Sequence, residues 1–325
     1  MVIGYHASHE QFDPGSLLEL VCMAEDAGFA SAMCSDHFSP FSERQGQSGF
    51  AWAWLGSALQ ATSIPFGTVT APGYRYHPAI IAQASATLAL MFPGRFWLAL
   101  GSGQYINESF TAEYWPIKTE RNERLKESSD IIRALWDGKA VTHYGQVIAE
   151  EARLYSIPDE PPLLIAAALT PETAEWAGQW ADGLITTSGP REKLSQVIVA
   201  FKRGGGADKP LYLQAKLSYA DTDEEALQGA WEQWRTGIFP SKILSEMRFP
   251  GQLDAAADFV SPPELHDHVR ISSDTDKHVS WLLEDVRMGF DHIYLHNVNL
   301  NQERFIRDFG ERVLPALAHA GAGQA

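Results

Sequence analysis

Short apolar runs alternate with longer segments of helical period along almost the whole chain. This alternation constrains the fold more than any other feature. "VIGY" (Val2–Tyr5), "ASAMCS", "IPFGTVTAP" and "RFWLALGSG" read as the first four strands. The segment "PGSLLELVCMAEDAGF" between the first two opens on Pro14, carries apolar residues at helical spacing and stops at Gly28, as helix ends prefer. "FAWAWLGSALQAT" and "PAIIAQASATLALMF" are helices of the same kind. The amphipathic "KTERNERLKESSDIIRALWDG" resumes the pattern, and "PPLLIAAAL", "ADGLITTSG", "KPLYLQAKLSYA" and "DHIYLHNV" supply four more strands separated by helical segments. About eight such units predict an α/β fold with a parallel sheet. In 325 residues they are expected to close into a (β/α)8 TIM barrel with insertions. The alternative is a doubly wound sheet, which wants a Gly-rich fingerprint after the first strand; "GYHASHEQF" has none. The expectation is one domain, 1–325, with excursions at about 105–117, 140–160 (a hairpin around Tyr144-Gly145) and 240–270. The terminal "AGAGQA" is expected to be loose.

Composition narrows the function. A net charge of −16 disfavours nucleic acid and anionic membrane as partners, since both need clustered Lys and Arg. No apolar run reaches the ~18 residues of a membrane span. The start, "MVIGYHASHEQF", lacks the basic and apolar regions of a signal peptide. The two cysteines, Cys22 and Cys34, read as reduced core thiols. Together these features predict a cytoplasmic protein.

In a barrel the chemistry sits where the strands end. Three polar groups fall there: Glu10, the adjacent Asp36-His37 of "SDHFSPF", and Gln104 with Asn107. Asp36 and Asn107 could equally cap the segments that follow, and Glu10 could be a solvated loop acid. A metal site is a competing reading, because His6, His9, His37 and His296 share that end with Asp36. The spacing H-A-S-H is not a helical i, i+4 pair, so no metal is expected. The small-residue ends "LALGSG", "IAAAL" and "ITTSG" would let backbone N–H groups approach a phosphate or a flat ring. They point to a phosphorylated cofactor.

The runs "GYHASHEQF", "SDHFSPF", "YRYHPAIIAQASATLALMFPGRFWLALGSGQYINE", "RLKESSDIIRALWDG" and "GFDHIYLH" resemble the luciferase-like superfamily of flavin and deazaflavin oxidoreductases. The similarity is strongest to the branch of deazaflavin-dependent glucose-6-phosphate dehydrogenases. The resemblance implies a barrel with a ring cofactor at the strand ends. It assigns His37 as the base that takes a substrate hydroxyl proton and Glu10 as the acid that tunes it. Asp36, Gly103 and Asn107 become cofactor contacts, and Thr70, Ala167, Ala168 and Thr186 line the ring and its tail. It also implies a non-prolyl cis peptide near Val69–Thr70 and a homodimer. The departures point away from glucose 6-phosphate. Gln104 stands where those dehydrogenases have an acidic proton donor, Phe41 where they have Trp, and Pro190 where they have a phosphate-binding Lys. Only Arg270 lines up with their phosphate Arg. The runs "YHASHEQF" and "TAPGYRYHP" look closer to a sister group thought to use FMN. FMN is therefore expected, with the deazaflavin coenzyme F-420 as the alternative. The predicted activity is hydride transfer between a small alcohol or carbonyl and the ring, or monooxygenation served by a separate flavin reductase. A flavin-binding protein of little turnover and a metal-dependent hydrolase on the same barrel are the competing readings.

Overall fold

The eight expected strands form: β1 (Val2–Ala7), β2 (Ser31–Ser35), β3 (Phe66–Thr70), β4 (Phe96–Leu100), β5 (Leu163–Ala167), β6 (Gly183–Thr187), β7 (Leu211–Ser218) and β8 (His292–Asn297). In this computed structural model, which describes residues 1–322, all eight pair in parallel and in order. Pairing of β8 with β1 and of β6 with β7 closes the sheet into a barrel. Helices follow the strands, beginning with α1 (Pro14–Asp26), whose first turn holds Pro14 and whose free N–H groups at Gly15 and Ser16 donate to the Asp13 carboxylate.

Strand alternation divides the side chains between two cores. Leu98, Leu164, Leu184, Leu213 and Leu295 face outward against the helices. Met33, Trp97, Ile165, Ile185, Tyr212 and Tyr294 face inward and fill the barrel. Gly67 makes room for the largest of them, since a Cβ there would lie 1.8 Å from the Trp97 ring. The Trp97 indole N–H donates to the Tyr294 hydroxyl at 3.1 Å, so this apolar plug hides no orphan donor there. Two residues further along the same inward faces, polar residues replace apolar ones: Thr187 after Ile185, Gln214 and Lys216 after Tyr212, His296 after Tyr294. The plug therefore becomes the floor of a polar site.

The three excursions are structured. Residues 105–111 form the short helix Tyr105–Glu108 and a further turn, Ser109–Thr111. Val141–Tyr144 and Ile148–Ala152 make an antiparallel hairpin. The 240–270 stretch holds helices Ser241–Leu244, Pro250–Ala257 and Pro262–Asp267, each of eight residues or fewer and thus too short to show a period. Two expectations are corrected. Every peptide bond among the described residues is trans, including that at Val69–Thr70. The loose tail does not begin at Ala320, because the last helix runs Leu314–Ala322; residues 323–325 lie outside the described residues. Among the described residues, no helix is long and apolar enough to cross a membrane.

Candidate active site

A cavity of about 890 Å³ opens at the C-terminal ends of the strands. It brings together most of the residues expected there: Glu10, Asp36, His37, Phe41, Thr70, Gly103, Gln104, Asn107, Ala167 and Ala168 all line it. His6 and His296 join them on the floor.

The centre of the site is the His37–Glu10 pair. β1 runs into Glu10 and β2 into His37, and because these strands are neighbours the two side chains meet. His37 Nδ1 contacts the Glu10 carboxylate, whose other oxygen accepts from the Ser8 hydroxyl at 2.9 Å. Burial pushes the Glu10 carboxyl up, but the His37 hydrogen bond and charge outweigh it and hold the group well below the usual carboxylate range. Glu10 is therefore an ionised orienter rather than a solvated loop acid. With Nδ1 engaged, His37 has Nε2 left for chemistry. Phe41 packs edge-on against the imidazole, 5.0 Å between ring centres.

Asp36 and Asn107 are occupied by the protein itself. The Asp36 carboxylate accepts from Thr70 (2.8 Å), the Trp52 indole (3.1 Å) and Tyr76 (3.3 Å). Arg75 lies 3.4 Å from it and donates to the Asp36 backbone carbonyl at 2.6 Å. The Asn107 carbonyl accepts the backbone N–H groups of Phe38 (2.8 Å) and Ser39 (3.1 Å), and its amide donates to Gln104 at 3.3 Å. Both residues fix the loop that carries His37. Glu108, unnoticed in the sequence, also lines the wall; burial pushes its carboxyl up, against the pull of the Arg75 N–H and charge.

The floor histidines stay neutral. Burial lowers His6 to about 4, despite the opposing charge of Glu10, and lowers His296 well below its ordinary value. The unfolded chain, with ordinary imidazoles near 6.5, binds these protons first. The stabilising preference for the neutral form is thus intact above about pH 6.5 and is lost as pH falls toward 4. For His6 alone this amounts to about 3 kcal/mol at the acid limit. Urea midpoints measured between pH 7 and 4 are expected to fall steadily, and to fall less in His6→Phe.

Several expectations need correction. Thr186 does not line the cavity; its inward neighbour Thr187 does, because Ile185 fixes the strand's parity. Arg270 is also absent from the lining. Its guanidinium makes a two-point pair with buried Asp285, reaching one oxygen at 2.7 Å. His9 is fully buried against Trp54, ring centres 4.9 Å apart, with neither ring nitrogen hydrogen-bonded. Among the described residues, no three His, Cys, Asp or Glu side chains are grouped to hold a metal. Finally, the cavity is not poor in lysine. Lys118, held by the Ser102 hydroxyl, and Lys216 and Lys242 all line it. Lys118 and Lys242 escaped notice because neither ends a strand.

A flat ring suits the remaining wall. Gly101, Ser102 and Gly103 face Ala167 and Ala168 with almost no side chain between. Gly103 has φ +81, a conformation side chains disfavour, while a Cβ there would stand in ordinary contact with Trp115, 3.4 Å away, so the constraint on this position is its backbone conformation.

Fold and site together define a (β/α)8 barrel enzyme with a histidine–carboxylate pair beside a ring-sized, small-residue cleft. Residues 1–292 match the luciferase-like monooxygenase family, and the chain belongs to that family of oxidoreductases. It is 36% identical to the F420-dependent glucose-6-phosphate dehydrogenase of Beutenbergia cavernae over 97% of each chain. The enzyme of the same name from Microbacterium testaceum is 34% identical, covering 97% of this chain and 96% of that one. The structure of an F420-dependent secondary alcohol dehydrogenase bound to an F420–acetone adduct superposes with a TM-score of 0.92. It is 30% identical, over 97% of this chain and 98% of that one. An FMN-bound Baeyer–Villiger monooxygenase component from Pseudomonas putida, at 16% identity and TM-score 0.72 over 97% of this chain and 98% of that one, shares the fold.

Proposed function

We propose that this chain is a deazaflavin-dependent dehydrogenase that interconverts an alcohol and a carbonyl on a small organic substrate. The observation that carries the reading is the His37–Glu10 pair opening on a cleft walled by Gly101–Gly103 and Ala167–Ala168. The preference for F420 over the FMN expected from the sequence rests on relatives. Those at 34–36% identity, and the 30%-identical structure, are named for F420, whereas the FMN protein is similar in fold alone.

When bound, the deazaflavin would accept or return a hydride. The chain supplies the rest. The small-residue wall would receive the ring face. Asn107, through the Phe38 and Ser39 N–H groups, holds the loop so that His37 keeps its place. His37 would take the hydroxyl proton at Nε2, and ionised Glu10 stabilises the imidazolium that results. Gln104 cannot exchange a proton as an acid. A proton at that side of the ring would therefore come from solvent or from elsewhere in the cavity. Relatives at 34–36% identity are named for glucose 6-phosphate, so the departures at Gln104, Phe41 and Pro190 do not by themselves exclude it.

Anaerobic mixing of the protein with F420 and short secondary alcohols tests the reading. Loss of the oxidised ring absorbance, with carbonyl formed in equal amount, is expected. Oxygen-dependent turnover with reduced FMN, and none with F420, would replace it with the monooxygenase reading.

A further inference from the structure

The polarity of the cavity floor can be derived bond by bond from a backbone carbonyl. Gln11 Nε2 donates to Val298 O at 2.8 Å, so the Gln11 carbonyl oxygen is the group turned to His296 Nε2, 3.3 Å away. His296 therefore carries its proton on Nε2, and its Nδ1 accepts from Gln214 Nε2 at 3.0 Å. The same amide nitrogen reaches His6 Nε2 at 3.3 Å, which leaves the His6 proton on Nδ1, a buried atom without a hydrogen-bond partner. Both imidazoles are neutral in this arrangement, and Gln214 brings no charge.

Lys216 lies beside His296 in the strand register and two residues beyond Gln214 on the same inward face. It is the floor's one cationic side chain among the described residues. Burial pulls its ammonium down to about 8, and no neighbouring acid pulls it back. The other cations of the lining are engaged or peripheral. Arg75 lies 3.4 Å from Asp36, and Arg121 donates to Glu246 at 2.9 Å. Lys118 is bound to Ser102, and Lys242 is exposed on the rim helix Ser241–Leu244. Lys216 is partly buried, and an unpaired ammonium held in a cavity wall is unfavourable until an anion joins it.

We propose that Lys216 sets the specificity of the cavity by holding the carboxylate of a hydroxy- or oxo-acid substrate. This rests on the dehydrogenase reading above. One positive charge without an Arg fork matches one negative charge, whereas a phosphate dianion asks for more. Lys216 and His37 rise from strands three spacings apart, about 14 Å along the wall. Both side chains reach inward, which leaves a few carbons between carboxylate and carbinol.

The test compares three alcohols on the F420-loaded protein: butane-1,3-diol, 3-hydroxybutyrate and 3-hydroxybutyl phosphate, with six-carbon counterparts. The carboxylates are expected to exceed the diols in kcat/KM by about 30- to 100-fold. Lys216→Met should collapse that ratio to within about threefold of unity, mainly through KM, and Lys216→Arg should restore part of it. A ratio near one in the unaltered protein, a ratio that survives Lys216→Met, or phosphates turned over best would overturn the assignment. Calorimetry of hexanoate with the cofactor-free protein decides independently: binding lost in Lys216→Met supports the proposal, and binding unchanged sinks it. If no alcohol of any kind reduces F420, the dehydrogenase reading fails, and hexanoate binding still decides the role of Lys216.

Discussion

Replacing His37 with alanine is expected to lower the rate of cofactor reduction by about 10²- to 10⁴-fold, the range lost with a general base, while F420 affinity changes only a few-fold. The wall proposed for the ring is made of small residues after β4 and β5, whereas His37, which lines the same cavity, follows β2. The variant also strands Glu10, a buried carboxylate whose ionised form depends on His37. His37→Asn, which keeps a hydrogen bond to Glu10, is therefore the cleaner comparison and should be as slow. Stopped-flow reduction alongside a binding titration separates the outcomes. Loss of cofactor affinity with an unchanged rate per bound cofactor would assign His37 to binding instead.

The second large effect is on stability. Asp36→Ala is expected to cost about 3–5 kcal/mol, the range for breaking a buried ion pair from one side. The Asp36 and Arg75 side chains are 1% and 7% exposed, so water cannot replace what is lost. Thr70, Trp52 and Tyr76 lose their acceptor in the same step. Asp36→Asn keeps an acceptor oxygen and should cost less. Urea unfolding measures both. A midpoint shift worth under 1 kcal/mol for alanine would show that Arg75 finds another partner and that Asp36 is not the frame of this loop.

The pairing of Glu10 with His37 was legible through the family resemblance, and both residues follow neighbouring strands whose ends converge in the barrel. The partners of Asp36 were not. The sequence places Asp36 beside His37, yet His37 turns to Glu10 while Asp36 turns to Thr70 and Trp52. Consecutive residues leave a strand on opposite sides, and only the neighbouring strands decide what each side meets. Thr186 failed for a related reason. The strand is buried on both faces and ends in two consecutive threonines, so "GLITT" gives no sign of which parity points inward. Arg270 was a candidate because it lines up with the relatives' phosphate Arg; its buried partner, Asp285, lies fifteen residues on in a helix, where an acid reads as solvated. Lys118 begins a helix and Lys242 sits in a four-residue one, so neither was sought at a strand end.

On the proposed function, this cleft holds a deazaflavin for reaction with an alcohol at His37. Titration of the purified protein with F420 and, separately, with FMN, followed by ring fluorescence, tests it most directly. Saturable one-to-one binding of F420, at least about tenfold tighter than FMN and lost on replacing Gly103 with a bulky residue, is the predicted result. Tighter binding of FMN, or F420 binding indifferent to Gly103, would contradict it.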